Sequence, residues 1–138
     1  MVFKTIDGRE KNAKIHKYLI DWDAKSRSKV QFTTKKYLQK YWKNHVVFEE
    51  FPVLGTRYTL DFFNANRNIA IEVQGRQHFE YVGHFHNKNK ANFLMQLKRD
   101  REKRKFCEIN DIELFEITED EIRKGLNKQI FKKQGLIL

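Results

Sequence analysis

Alternating apolar and polar residues in the middle of the chain predict two short strands joined by a turn. Residues 58–63 read YTLDFF and residues 69–74 read IAIEVQ, and successive side chains on a strand point to opposite faces. The intervening residues 64–68, NANRN, are typical of a turn because asparagine tolerates left-handed backbone angles. We therefore expect a hairpin here.

The patterns elsewhere predict further elements on both sides of this hairpin. In chain order they are an irregular segment or short strand over 1–8, a helix with a weak apolar stripe over 10–20, a loop over 20–29, a helix over 32–42, a strand over 46–53, a helix over 91–109, a strand over 112–117, a helix from 118 and a tail over 131–138. Thr33 or Thr34 is expected to cap the second helix and Thr118 the last, whereas Ser28 is expected in a plain capping role. Pro52 is expected at a sheet edge or strand end.

This order of elements predicts an α/β fold, a small mixed sheet flanked by helices. The strand over 112–117 is expected to lie beside the strand over 69–74 through a right-handed crossover. With 138 residues and 40% apolar content the chain forms one domain. We expect a core over about 30–117, a basic helical extension over 1–29, and a C-terminal helix and tail over 118–138.

Composition narrows the environment of the domain. The 12 Phe, 5 Tyr and 2 Trp argue against disorder, and the N-terminal residues lack the apolar stretch of a secretory signal. No apolar run approaches the roughly 20 residues of a membrane span, so no membrane partner is expected. The single Cys107 excludes an intrachain disulfide and a Cys-rich zinc site and suits a reducing cytoplasm.

The charge is large and unevenly distributed. The net charge is +10; residues 1–48 carry 12 Lys and Arg against 4 Asp and Glu, and residues 88–105 carry 8 against 2. Residues 108–121 hold seven acids and no Lys or Arg. Basic segments beside one acidic segment favour a nucleic-acid-binding protein, although a merely solvated basic surface is the alternative.

The central hairpin carries the candidate chemistry. Asp61 shares a strand face with Thr59 and Phe63, whereas Glu72 and Gln74 share the face opposite Ile71. If the apolar faces pack inward, Asp61, Glu72 and Gln74 converge. Two carboxylates and an amide form an all-oxygen site suited to a hard divalent cation such as Mg²⁺. The alternative is an ordinary hairpin with solvent-facing carboxylates.

These residues also carry a family resemblance. Asp61, followed eleven residues later by Glu72, Val73 and Gln74, resembles the metal-binding core of the PD-(D/E)XK nuclease superfamily. The run IEVQGRQH at 71–78, with RDREKRKFCEINDIELFEI at 99–117, is similar to phage-encoded and homing endonucleases related to the very-short-patch repair nuclease. The similar region covers residues 49–117, about half of the chain. Leu60 stands where the superfamily name has proline, and Gln74 where it has lysine.

The resemblance implies a restriction-endonuclease-like core that hydrolyses DNA phosphodiester bonds with Mg²⁺ or Mn²⁺. Asp61 and Glu72 would hold the metal with the carbonyl of Val73, and Gln74 would orient water or phosphate. His78 would act as general base or steady a phosphate oxygen.

Further acids complete the implied site. Relatives often draw one from the first core helix, which has none here, so Glu49 or Glu50 would replace it; alternation does not decide which. Asp100 shares a helical stripe with Phe93, Leu97, Arg104 and Cys107. Either Asp100 pairs with Arg104 at i,i+4, or its helix brings it to the site, as in the relatives.

Basic side chains on two helices and near the hairpin are candidates for phosphate contacts, each releasing counterions. They are Lys29, Lys35, Lys36, Lys40, Arg57, Arg76, Lys98, Arg99 and Lys103. The alternative for the first helix is that its lysines form the outer face of a core helix.

The resulting prediction is a metal-dependent DNA endonuclease, such as a free-standing phage homing endonuclease, in the cytoplasm of a bacterium or phage-infected host. Double-stranded DNA is the expected partner. A homing role in so small a domain calls for a homodimer or a long, tolerant target. The alternatives are a junction-resolving nuclease and a non-catalytic nucleic-acid-binding protein on a nuclease scaffold.

Overall fold

The computed structural model describes residues 1–75 and 87–138, without the side chains of residues 87–89. Its elements are β1 (Val2–Lys4), β2 (Glu10–Asn12), a 3₁₀ turn (Ile15–Tyr18), α1 (Lys29–Trp42), β3 (Val47–Pro52), β4 (Thr59–Asn64), β5 (Ile69–Gln74), α2 (Asn87–Ile109), β6 (Glu113–Thr118), α3 (Glu119–Lys124) and α4 (Lys128–Lys132). Among these helices none is both long and apolar enough to cross a membrane.

A four-stranded mixed sheet in the order β3-β4-β5-β6 organises the molecule. β3 and β5 both run antiparallel to β4, and β6 runs parallel to β5 with Ile71 opposite Phe115. A parallel neighbour requires a long connection, and α2 lies in that connection. The predicted α/β class, the central hairpin and the place of the last strand are confirmed, and Pro52 ends the edge strand β3 as expected.

Apolar side chains cover both faces of the sheet. One cluster joins the sheet to β1 and α2 through Phe3, Phe48, Phe63 and Phe106. The second joins it to α1, α3 and α4, with members that include Leu38, Trp42, Ile71, Ile122 and Phe131. The sheet is therefore the middle layer of a three-layer domain.

The predicted helix over residues 10–20, and with it a helical N-terminal extension, is wrong. Glu10–Asn12 is instead a strand that pairs antiparallel with Val2–Lys4, and only Ile15–Tyr18 form a short 3₁₀ turn. Phe3 explains the difference, because its ring is buried against Phe51 and Phe106 and so anchors β1 on the sheet. A weak helical stripe yields to that packing.

Two further boundaries differ from the prediction. α1 begins at Lys29, three residues early, because Ser28 rather than Thr33 or Thr34 is the N-cap and accepts a hydrogen bond from the Gln31 N–H. The predicted tail over 131–138 is wrong in part: its first two residues belong to α4, and Phe131 and Leu136 are buried whereas Ile137 is exposed. Thr118 caps α3 in a full capping box, as expected.

Candidate functional site

The candidate site lies where strands β4 and β5 separate. Backbone pairing between the two strands runs from Asn64↔Ile69 to Phe62↔Ile71. It stops before Asp61 and Glu72, although both strands continue. Asp61 Oδ2 accepts a hydrogen bond from the Val73 N–H (2.8 Å), and Glu72 Oε2 accepts one from the Asp61 N–H (3.0 Å). The two carboxylates thus replace ladder hydrogen bonds, which fixes their position.

These two carboxylates are unusually well shielded from solvent for charged groups. Asp61 is 4% and Glu72 3% exposed. Burial raises the pKa of the Glu72 carboxyl well above its usual range, the neighbouring Asp61 carboxylate raises it further, and the Lys103 ammonium opposes both. Burial likewise raises the pKa of the Cys107 thiol to about 12, with Glu72 adding to the effect. Positive charge beside this pair therefore stabilises the ionised form of Glu72.

Among the described residues, Lys103 of α2 is the cation that pairs with Glu72. Its Nζ lies 2.5 Å from Glu72 Oε1, and only 14% of its side chain is exposed. Within residues 1–75 and 87–138, that oxygen accepts no well-oriented hydrogen bond. Lys103, predicted only as a phosphate contact, therefore belongs to the site itself. Its spacing from Asp100, i and i+3 on one helix face, is the sequence signal that could have placed it correctly.

Arg27 supplies the second positive charge. Its guanidinium lies 3.2 Å from Asp61 Oδ1 and 3.5 Å from Glu50 Oε2, and its side chain is 64% exposed. Glu50 has a left-handed backbone (φ 54°) on β3 and sits between the register pairs Glu49↔Phe62 and Phe51↔Leu60. Arg27 lies in the loop before α1, where no local pattern marks it.

A cleft of about 620 Å³ surrounds the pair of carboxylates. It is lined by Arg27, Tyr58, Asp61, Glu72, Val73, Gln74, Gly75, Asn92, Met95, Gln96, Arg99, Asp100, Lys103 and Glu119. Acidic and basic groups therefore share one concave surface formed by the ends of β4 and β5 and one side of α2.

Glu49 and Glu50, left undecided by alternation, have different surroundings. Glu49 Oε1 lies 2.7 Å from Lys35 Nζ, and its Oε2 accepts hydrogen bonds from Ser26 and Gln31. Glu49 is thus held by an ion pair and two hydrogen bonds, and no contact joins it to Asp61 or Glu72 within the described residues. Glu50 is the one that approaches Asp61, through Arg27.

The other predicted catalytic residues fall into two groups. Gln74 and Asp100 both line the cleft, so the structure brings them to the site with Asp61, Glu72 and Val73. Of the two alternatives for Asp100, the approach to the site is the one seen: Asp100 Oδ1 lies 3.8 Å from Arg99 Nε, and Arg104 is exposed. His78 lies outside the described residues.

The prediction that Lys35 contacts phosphate is wrong. Lys35 is fully buried, and besides its ion pair with Glu49 its Nζ donates hydrogen bonds to the carbonyls of Asp21 (2.8 Å) and Ala24 (2.7 Å). It holds the 20–28 loop on α1.

Apart from Lys103, the remaining predicted phosphate contacts are accessible where they are described. Lys29, Lys40, Arg57 and Lys98 are exposed, and Lys36 and Arg99 are partly exposed. Arg76 lies outside the described residues.

The oxygens of the site match a hard cation, but they do not form a complete ligand set by themselves. Within residues 1–75 and 87–138 no group of three or more His, Cys, Asp and Glu side chains is placed to hold a metal ion. Asp61 and Glu72 offer two carboxylates, and in the described part of the chain Glu72 Oε1 is buried against Lys103 Nζ. Carboxylate and carbonyl oxygens are the ligands that Mg²⁺ accepts, so the residues present fit such an ion.

Comparisons with known proteins place similar sequences in iridescent viruses and in a frog virus. The chain is 39% identical over 66 residues to uncharacterized protein 094L of Frog virus 3, covering 48% of this chain and 43% of the relative. It is 36% identical over 58 residues to uncharacterized protein 307L of Invertebrate iridescent virus 6, covering 42% and 29%. Protein 033L of Invertebrate iridescent virus 3, also uncharacterized, is 33% identical over 66 residues, covering 48% and 34%.

The match extends over less than half the length of each of these relatives. No protein-family model matches the chain. No solved structure matches it.

Proposed function

We propose that the chain is a divalent-metal-dependent DNA endonuclease that hydrolyses phosphodiester bonds. The observation that carries this proposal is the meeting of Asp61 and Glu72, both nearly buried, at the floor of a cleft where two strands separate. Strand ends that open onto a cleft are common places for catalytic groups, and perturbed carboxyl pKa values cluster at such sites.

Asp61, Glu72 and the carbonyl of Val73 would hold the ion. A bound Mg²⁺ or Mn²⁺ would polarise the phosphate and lower the pKa of water. Asp61 keeps its place through the Val73 N–H and Glu72 through the Asp61 N–H. These hydrogen bonds preorganise the carboxylates, so little reorganisation is needed on binding.

Lys103, Arg27 and Gln74 would serve the substrate. Lys103 and Arg27 now neutralise Glu72 and Asp61; once an ion takes over that role, both are free to face phosphate oxygens. Gln74 lines the same cleft, and as a neutral amide it can orient water or phosphate but cannot accept a proton as the base. Proton acceptance would fall to His78, Glu50 or Asp100.

One observation favours a second candidate, a non-catalytic nucleic-acid-binding protein on the same scaffold. Arg27 and Lys103 already supply two positive charges to the two buried acids. Such a site is electrostatically balanced without a metal. The basic surface would then bind DNA without cutting it.

Cleavage assays distinguish the two candidates. A mixture of plasmid and branched DNA is incubated with and without Mg²⁺, using the native chain, Asp61→Asn and the exposed control Asp111→Asn, a left-handed position (φ 55°) that asparagine tolerates. We expect Mg²⁺-dependent cutting by the native and control proteins and a loss of at least about 100-fold in Asp61→Asn.

Cutting that persists in Asp61→Asn would contradict the assigned site. Absence of cutting by any protein, together with salt-sensitive DNA binding by all, would leave the binding candidate in place. The preferred substrate separates a site-specific from a junction-specific enzyme.

A further inference from the structure

A second cleft of about 580 Å³ lies beside the first and has a basic lining. Its charged residues are Arg9, Arg57, Lys98 and Lys105 against Asp7 and Glu102, which leaves two positive charges in excess. Its walls come from the turn after β1, the turn between β3 and β4, and α2. The proposed catalytic groups lie outside it.

The two clefts are neighbours. Tyr58 lines both of them, and so does α2, which turns Lys98, Glu102 and Lys105 toward the second cleft and Arg99, Asp100 and Lys103 toward the first. Residues at i, i+4 and i+7 form one helix face. A polymeric ligand that extends from the first cleft past Tyr58 therefore enters the second cleft.

The wall formed by the N-terminal turn is firmly built. The Thr5 N–H donates to the Arg9 carbonyl (2.8 Å), and the Arg9 N–H donates to Thr5 Oγ1 (3.1 Å). Gly55 has φ +87°, and a Cβ there would meet Thr5 Cβ at 3.3 Å, so the two turns are closely packed. This wall holds Arg9 and Arg57 in one cleft without help from a ligand.

Both acidic residues of the second cleft already form ion pairs with basic residues of the same cleft. Asp7 Oδ2 lies 2.9 Å from Arg9 Nε, and Glu102 Oε1 lies 3.9 Å from Lys98 Nζ. Arg57 and Lys105 are exposed, and neither forms an ion pair with a carboxylate of the described residues. Unpaired cations on a concave surface favour a polyanion.

We propose that the second cleft binds the phosphate backbone of the DNA strand that continues beyond the scissile phosphate. This inference rests on the proposed function, because that function puts the scissile phosphate over Asp61 and Glu72. Arg57 and Lys105 contact backbone phosphates, and the N-terminal hairpin is part of the substrate-binding surface. Contacts of this kind fix the register of a duplex on the protein without reading its sequence.

The test is the salt dependence of binding, measured without divalent cations so that no cutting occurs. A fluorescent duplex of about 30 base pairs is titrated between about 50 and 200 mM salt with the native chain and with the double variant Arg57→Ala/Lys105→Ala. Loss of two phosphate contacts lowers the slope of log K against log salt by about 1.8 and weakens binding by about tenfold or more.

The matched control is Lys132→Ala/Lys133→Ala, which removes the same charge from exposed positions at the end of α4, on the opposite face of the sheet. An unchanged melting temperature establishes folding in both variants. If the cleft variant merely matches this control in slope and affinity, or if the native chain binds no DNA, the inference is overturned.

Cleavage with Mg²⁺ is scored separately. A cleft variant that binds like the control while the native chain cuts DNA would leave the nuclease proposal standing without this subsite. A cleft variant that loses the slope while the native chain cuts nothing would leave a strand-binding cleft on a non-catalytic protein.

Discussion

At the scale of single residues, the buried pair Asp61 and Glu72 makes stability depend on pH. The pKa of Glu72 is raised in the folded state above its ordinary value of 4.5. Below that value Glu72 is protonated in both states, so it imposes no cost on folding. As the pH rises above 4.5 the unfolded chain releases this proton first, and folding stability falls.

Asp61→Asn therefore stabilises the protein in the absence of divalent cations. It removes the like charge beside Glu72, while asparagine can still accept the Val73 hydrogen bond; the lost ion pair with exposed Arg27 is worth little. We expect a gain of about 1 kcal/mol, or roughly 3 °C in Tm, at pH 7. Thermal melts in EDTA from pH 4 to 8 measure it.

The gain should shrink toward pH 4, where Glu72 is protonated in folded and unfolded chains alike. Asp111→Asn, at an exposed turn, serves as the control and should change Tm little at any pH. An Asp61→Asn protein that is less stable than the native chain at pH 7 would contradict the assigned electrostatics.

Lys35 shows how a residue can carry a charge for structure rather than for binding. Lys35→Met removes one partner of a buried pair and leaves Glu49 without its counter-charge. The expected cost is about 3–5 kcal/mol in the free energy of unfolding, measured by urea denaturation. Lys36→Met, one position along and in an ion pair with the exposed Asp23, should cost less than about 1 kcal/mol.

Equal small costs for the two lysine variants, with a reduced salt slope of DNA binding for Lys35→Met, would restore the phosphate-contact interpretation of Lys35.

At the scale of elements, long segments with clear patterns were predictable and short ones were not. β5 begins and ends where alternation predicts, because apolar residues define one of its faces and the site residues define the other. The N-terminal strands are three residues long each, which is too short for a period to be read. Their structure depends on Phe3 finding Phe51 and Phe106, residues far away in sequence.

The 23-residue helix α2 illustrates a partial success. Its existence and its C-terminal end at Ile109 were predicted. Its orientation was predicted in part: Asp100 and Cys107 of the predicted stripe lie at the cleft and in the core, whereas Leu97 of that stripe is 49% exposed and Phe106, outside it, is buried. Charged side chains are so frequent on α2 that periodicity does not decide which helix face is buried. Contact with the sheet decides it, and the face that packs there carries Asp100 and Lys103.

The N-terminal hairpin is expected to be part of the core rather than an appendage. Phe3→Ala removes a buried ring that contacts three other phenylalanine rings, so the cost should be about 3–5 kcal/mol. Trp22 and Trp42 lie in the cluster on the other face of the sheet. Their fluorescence therefore reports whether the loss of the Phe3 ring also destabilises that cluster.

At the scale of the whole molecule, one sheet shared by both apolar clusters predicts a single cooperative unfolding transition. Phe3→Ala should therefore shift the tryptophan-detected transition and the far-ultraviolet circular dichroism transition together. Val2→Ala, at an exposed neighbouring position, is the control and should shift neither by more than about 0.5 kcal/mol. Separate transitions would mean that the hairpin side unfolds independently.

The charge of the whole molecule supports the same function at long range. A net charge of +10 attracts polyanions before contact, while two concave surfaces on one side of the sheet provide places for a backbone to lie. Net charge alone does not show which face is used. The arrangement of clefts around Tyr58 assigns that face in our proposal.

The sequence by itself determined the α/β class, the central hairpin and the two carboxylates that meet on it, because period-two alternation and turn chemistry are local properties. Only the tertiary structure decided which cations accompany those carboxylates. Lys103 is 31 residues from Glu72 and Arg27 is 34 residues from Asp61, and Lys35 was drawn into the interior rather than left on the surface. Which charges become neighbours depends on how helices pack on the sheet, and the i,i+3 spacing of Asp100 and Lys103 points to the site only once α2 is packed against it.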